Sequence, residues 1–317
     1  MRLIRMIAAL ASVAALAMAI RADEPKAAVP PELEWLPPNS AGFVHVRIHD
    51  LLSSPAGRKL IETAKAADPK AIDSVELGLG VPLSRIESVT LLVPTINARA
   101  SEPAIVIRIN TTKPYDRRDV RAALRARPIG EGLGDDSDLL KLEGRGVAHF
   151  SGERSLTLIP DEAGADGLLS QFLSHKPAGP LTAALQQAGG KSQIVAGVNV
   201  ATLPRVPVEA FPPDLKPLRT LLDAKTLTIT GTLADDKTEF AFRVSFGSKE
   251  DATEGNQAVT DGLKALQMLL AKAEMETKAD SEETRAVKAL MKEVLAGLKA
   301  AEVSQKDAEI VVAMRLE

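Results

Sequence analysis

The sequence predicts an α+β protein: antiparallel sheets with helices packed on one face, arranged as two similar halves. Three features point there. Stretches such as Val44-His45-Val46-Arg47-Ile48 and Thr226-Leu227-Thr228-Ile229 alternate apolar and polar residues, the period of a half-buried strand. Other stretches place apolar residues three and four apart, as Val287, Leu290, Met291, Val294, Leu295 and Leu298 do, which is the inner stripe of a helix. The order of elements also recurs. "VHVRIHDL" has the apolar rhythm of "AGVNVATL", "AIVIRI" matches "EFAFRV" with Arg108 and Arg243 at the same place, and "VRAAL" matches "VTDGL". The recurrence suggests an internal duplication of a strand–helix–strand–strand–helix unit, with halves over residues 39–178 and 179–317.

Taken in order, Gly42 to Ile48 reads as the first strand. Ser54-Pro55 reads as N-cap and first residue of a helix, and Asp68-Pro69 repeats the device for a helix ending near Gly78. "IESVTLLV" and "PAIVIRIN" are strands, "RRDVRAALRA" a helix, and "KLEGRGVAHF" with "RSLTLIP" a hairpin turning at Ser151-Gly152. "GLLSQFL" gives a short helix. In the second half "SQIVAGVNVATL" is a strand, and residues 226–246 form a hairpin across Asp235-Asp236. One face of that hairpin, with Thr226, Thr228, Thr230 and Thr232, is expected to be wet; the other carries Phe240, Phe242, Val244 and Phe246. Helices over about 256–273 and 282–300 follow, the second opened by a capping box of Asp280 and Glu283. "AEIVVAMRL" closes the chain as a strand.

The composition is that of an ordinary globular protein: 317 residues, 45% hydrophobic, 26% charged, mean hydropathy near zero. A formal charge of −3 and 3% aromatic residues provide neither the basic field nor the stacking rings that nucleic acid needs. The start of the chain, residues 1–22, has the parts of an export signal. Arg2 and Arg5 precede the apolar run Met6 to Ile20, which falls short of the about 20 residues of a spanning helix, and small residues follow it. Cleavage is expected after Ala22, with Ala19 as the other candidate and an uncleaved membrane anchor as the competing reading, followed by a proline-rich linker over 23–38. The expected location is the periplasm or the cell exterior, without membrane contact after cleavage. With no cysteine in the chain, disulfides, thiol catalysis and cysteine-ligated metals are excluded.

His45 and His49, with Arg47 between them, form the most suggestive polar cluster. On one strand they stand about 13 Å apart, too far to share a metal, so they read as a solvated strand face. His149 and His175 are isolated. The acidic loop Gly130 to Asp138 lacks the ligand spacing of a calcium loop. No nucleophile elbow, SxxK, P-loop or dinucleotide fingerprint occurs. No catalytic, cofactor-binding or metal residues are therefore assigned, and no cofactor is expected.

Leu36-Pro37, the strand Val44 to Ile48, Ser54-Pro55-Gly57-Leu60, and Gly80-Pro82-Ile86-Val89-Thr90-Leu91 together resemble the opening of families of exported proteins best represented in planctomycete-type bacteria. Those motifs are capping and packing residues, so the resemblance implies shared fold and export rather than a chemistry. The expected role is a non-catalytic binding or scaffold protein for a protein or apolar partner. The alternatives are a carrier holding an apolar ligand or lipid between sheet and helices, and a hydrolase with an unrecognised site.

Overall fold

The computed structural model describes residues 28–316 apart from position 38, scattered positions between 56 and 69, and segments 95–104, 130–136, 144–145, 160–178, 205–218, 234–237 and 278–281. The export signal, Asp68-Pro69, most of the acidic loop, "GLLSQFL", His175, the Asp235-Asp236 turn and Asp280 lie outside the described residues.

Twelve strands form one continuous antiparallel sheet. In chain order they are β1 (Gly42–Val46), β2 (Ile86–Val93), β3 (Val106–Thr111), β4 (Arg127–Pro128), β5 (Leu139–Lys141), β6 (Val147–Phe150), β7 (Ser155–Ile159), β8 (Ile194–Asn199), β9 (Thr226–Leu233), β10 (Thr238–Ser245), β11 (Glu302–Lys306) and β12 (Glu309–Leu316). Their spatial order is β11-β12-β10-β9-β8-β1-β2-β3-β7-β6-β5-β4. The strands of residues 39–178 adjoin those of residues 179–317 at the seam between β1 and β8, where Phe43 faces Gly197, Val44 faces Ala196 and His45 faces Val195. From that seam the strands run outward as β1-β2-β3-β7-β6 on one side and β8-β9-β10-β12-β11 on the other.

The described helices are α1 (Ile48–Ser53), α2 (Ala71–Leu79), α3 (Arg117–Leu124), α4 (Thr182–Ala188), α5 (Lys249–Glu276) and α6 (Glu282–Lys299). Successive strand residues point to opposite faces, so the core clusters identify which helix covers which face. Ile107, Ile109, Leu156 and Leu158 pack with Leu79 of α2 and Val120 of α3. On the same face Ile194, Phe240 and Met314 meet Leu270 of α5 and Val294, Leu295 and Leu298 of α6. The opposite face carries Phe43, Leu92, Val106, Val147, Ile159 and Val195, covered by Leu33, Trp35 and Leu36 and by Leu181, Ala184, Leu185 and Ala188 in and beside α4. Helices thus lie on both faces, not on one. The later part of the proline-rich segment is also packed rather than extended, because its three large apolar residues have a sheet face to cover.

Local signals explain many boundaries. Asp116 caps α3 by accepting the Arg118 N–H, and Ser248 caps α5 by accepting that of Asp251. Gly57 N–H donates to Ser54 Oγ at 2.9 Å, the expected capping bond, but α1 already occupies the residues before it. Phe246 and Met314 sit against Gly255 of α5 and Gly297 of α6, where a Cβ would come within 2.2 and 2.9 Å of them. Backbone and side chain are therefore in direct contact between the sheet and these helices. No helix among the described residues is long and apolar enough to cross a membrane.

Candidate functional site: a polar row across five strands

β1 ends at Val46, one residue before Arg47, and His49 belongs to α1. The expected solvated strand face is therefore not what forms: His45 is fully buried, at 0% exposure. The threonine face of β9 is not wet either, since Thr226, Thr228 and Thr230 are buried. Alternation marks a half-buried strand only where one face meets water. Here Thr226, Thr228 and Thr230 stand opposite Asn199, Gly197 and Val195, on the face that α4 and the early segment share.

The pairing register lines up polar residues that are remote in sequence. His45 faces Thr90, Thr90 faces Arg108, Arg108 faces Thr157, and Thr157 faces His149. Directly opposed residues share a sheet face, so the five side chains form one row across β1, β2, β3, β7 and β6. Four inter-strand steps of ~4.8 Å make the row about 19 Å long. A second row lies beside it, in which Asn110 Nδ2 donates to Ser88 Oγ at 3.1 Å and Ser155 Oγ donates to Asn110 Oδ1 at 2.6 Å.

Within the main row, His45 Nδ1 lies 2.9 Å from Thr90 Oγ1, while its Nε2 is buried with no hydrogen-bond partner. Burial, and secondarily the Arg47 charge, lower the His45 pKa from 6.5 to about 4. The ring is neutral at pH 7. Arg47 itself turns to Asp50, 3.2 Å away. Arg108 is half-buried, with its guanidinium 5.2 Å from the centre of the Trp35 ring. Its Nε is buried without a hydrogen-bond partner, and desolvation lowers its pKa. Glu32 favours the charge from a distance, but no described carboxylate lies within ion-pair distance of Arg108.

At the far end, Ser151 Oγ is 3.0 Å from His149 Nδ1 and 3.3 Å from Thr157 Oγ1. The first is a nucleophile–base distance. However, the hydroxyl is shared with Thr157, and no described carboxylate hydrogen-bonds His149. Burial lowers the His149 pKa, and the Asp138 charge opposes that shift. Asp138, the one described acid of the acidic loop's closing run, pairs instead with Arg117 at 2.7 Å. Among the described residues no group of three or more histidines and carboxylates could hold a metal ion.

Sequence reasoning identifies His45, Arg47, Arg108 and His149 separately and misses their alignment. The available signal is parity: Ser88-Thr90, Arg108-Asn110, Ser155-Thr157 and His149-Ser151 each put polar residues two apart in or beside a strand. What joins them is the β3–β7–β6 strand order, which no local pattern states.

No known protein family matches the chain, and no curated protein does. Among solved structures, crystal form I of TP0453 aligns with a TM-score of 0.46 and 11% identity, covering 92% of this chain and 95% of that one. Crystal form IV of TP0453 aligns with a TM-score of 0.47 and 8% identity, covering 92% and 94%. No functional weight attaches to a likeness of this degree.

Proposed function

We propose that this is an exported, non-catalytic binding protein whose ligand meets the polar row of the first half at Arg108. Arg108 and His149 are part-exposed, while His45, Thr90 and Thr157 are buried. Asymmetry between the halves supports the reading. The alignment of "VHVRIHDL" with "AGVNVATL" puts Gly197 under His45, and Arg243 stands under Arg108. The seam register obeys that same correspondence: the pair Phe43–Gly197 becomes Val195–His45, and the pair Val44–Ala196 maps onto itself. A local two-fold axis through Val44 and Ala196 is what a duplicated unit paired with itself produces.

The row equivalent to His45-Thr90-Arg108-Thr157-His149 is Gly197-Thr228-Arg243-Val311-Ser304. In the second half the histidine is a glycine, one threonine is a valine, and Arg243 is neutralised by Glu309 at 3.3 Å. In the first half no described acid pairs with Arg108. That difference carries the proposal: Nε is a buried donor with no hydrogen-bond partner in both arginines, but only Arg243 has a described acid beside it. The direct contacts of Phe246 with Gly255 and of Met314 with Gly297 favour this face over a ligand held between the sheet and the C-terminal helices.

Native mass spectrometry of protein purified from its own host tests the reading. A small-molecule adduct is expected on the wild type, retained by Arg243→Gln and lost in Arg108→Gln. No adduct, or one indifferent to Arg108→Gln, would reject it.

A further inference from the structure

We infer that the ligand of the row carries an oxyanion, a carboxylate or a phosphate, bound by the Arg108 guanidinium. The inference rests on the row being a binding surface and adds the chemistry of what binds. A buried cation without a partner is costly, and the protein pairs other part-buried arginines with acids: Arg47 with Asp50, Arg117 with Asp138, Arg243 with Glu309. Arg108 departs from that pattern. Its guanidinium carbon lies over the Trp35 ring, 5.2 Å from the ring centre. Its Nε is a buried donor with no acceptor, as that of Arg243 is, but Arg108 lacks the described acid that Arg243 has in Glu309.

The neighbours suit an oxyanion. Thr90 and Thr157 flank Arg108 in register, and each carries a hydroxyl. Beyond them stand two histidines whose pKa is lowered, so at pH 7 their rings add no charge and offer N–H or lone pair as the tautomer dictates. No carboxylate belongs to the row to repel an anion. A fork of guanidinium N–H groups meets two oxygens of a carboxylate or phosphate at once.

Trp35 is the sole tryptophan and touches the group in question, so its fluorescence reports directly. The probes are sodium acetate, inorganic phosphate and glucose, each titrated at constant ionic strength set with sodium chloride. Saturable change with acetate or phosphate, and none with glucose, is expected; whichever anion acts at lower concentration identifies the source. The response should vanish in Arg108→Gln, weaken about tenfold in Arg108→Lys, which keeps charge but loses the fork, and persist in Arg243→Gln. Arg108→Lys, which keeps the charge, guards against a misfolded Arg108→Gln. An unchanged wild-type emission with both anions, or an anion response that survives Arg108→Gln, overturns the inference. A neutral adduct lost in Arg108→Gln, found by mass spectrometry alongside silent anions, would sink the oxyanion and leave the binding surface standing.

Discussion

Acidification from about pH 7.5 to about pH 4 is expected to remove about 3 kcal/mol of folding stability through one side chain, His45. The ring is fully buried, its Nε2 has no partner, and the nearest charge acting on it is the cation Arg47. Its folded pKa of about 4 lies below the ordinary value of 6.5. As pH falls through 6.5 the unfolded chain takes up a proton that the folded chain refuses until about 4. Protons therefore favour unfolding across that window. The contribution of neutral His45 is complete above pH 6.5 and declines progressively below it, until the folded state also protonates. Urea unfolding at several pH values measures this. The control replaces both members of the pair, His45→Leu with Thr90→Val, because deleting one alone strands the other. The double variant should show a stability curve about 3 kcal/mol flatter over the interval, and loss equal to the wild type's would refute the assignment. Carboxylates elsewhere act on both proteins alike and cancel.

The elements and the arrangement are legible in the sequence to very different degrees. β2 runs over Ile86–Val93, the whole of the expected strand, and β9, β10, α3 and α6 lie where periodicity puts them. Each is specified by neighbours in the sequence: alternation or an i,i+4 stripe. Alternation alone carries β1 two residues too far because Arg47 and Ile48 continue it, while the backbone turns there into α1. β11 has no such signal, since "EVSQK" is a polar edge strand of intermediate and exposed residues held by pairing with β12. The row of five polar residues is least legible. It depends on which strands are neighbours, and β3–β7 pairing brings together residues separated by a helix and three short strands. His45 shows the consequence. Its parity in β1 follows from the sequence, but whether that parity means water or burial depends on the covering of the far face by Leu33, Trp35, Leu36 and α4.

The motif "G-P---I--VTL" acquires a physical account that also yields the second large effect. Gly80 ends α2 with φ 68°, a left-handed conformation, and its N–H donates to the Glu76 carbonyl. Pro82 then leads into a 3-10 turn over Leu83–Arg85, and Ile86 enters the core as the first residue of β2. A Cβ on Gly80 would stand 2.6 Å from the Asp119 carbonyl oxygen and 2.9 Å from the Val120 Cα. These are backbone atoms of α3, and Val120 is itself fully buried, so no rotamer change can make room. Gly80→Ala combines about 1–2 kcal/mol for a left-handed L-residue with about 1–3 kcal/mol for overpacking, and is expected to cost about 3 kcal/mol in all. Two residues earlier the same substitution should act in the opposite direction. Gly78 lies inside α2 with nothing within 4 Å of the place a methyl group would occupy, and Gly78→Ala should stabilise by up to about 1 kcal/mol through helix propensity alone. Denaturant midpoints of the two variants, measured side by side, check both. If Gly80→Ala falls within about 1 kcal/mol of the wild type, α2 and α3 do not meet at this glycine, and the route from α2 into the polar row through β2 must be drawn differently.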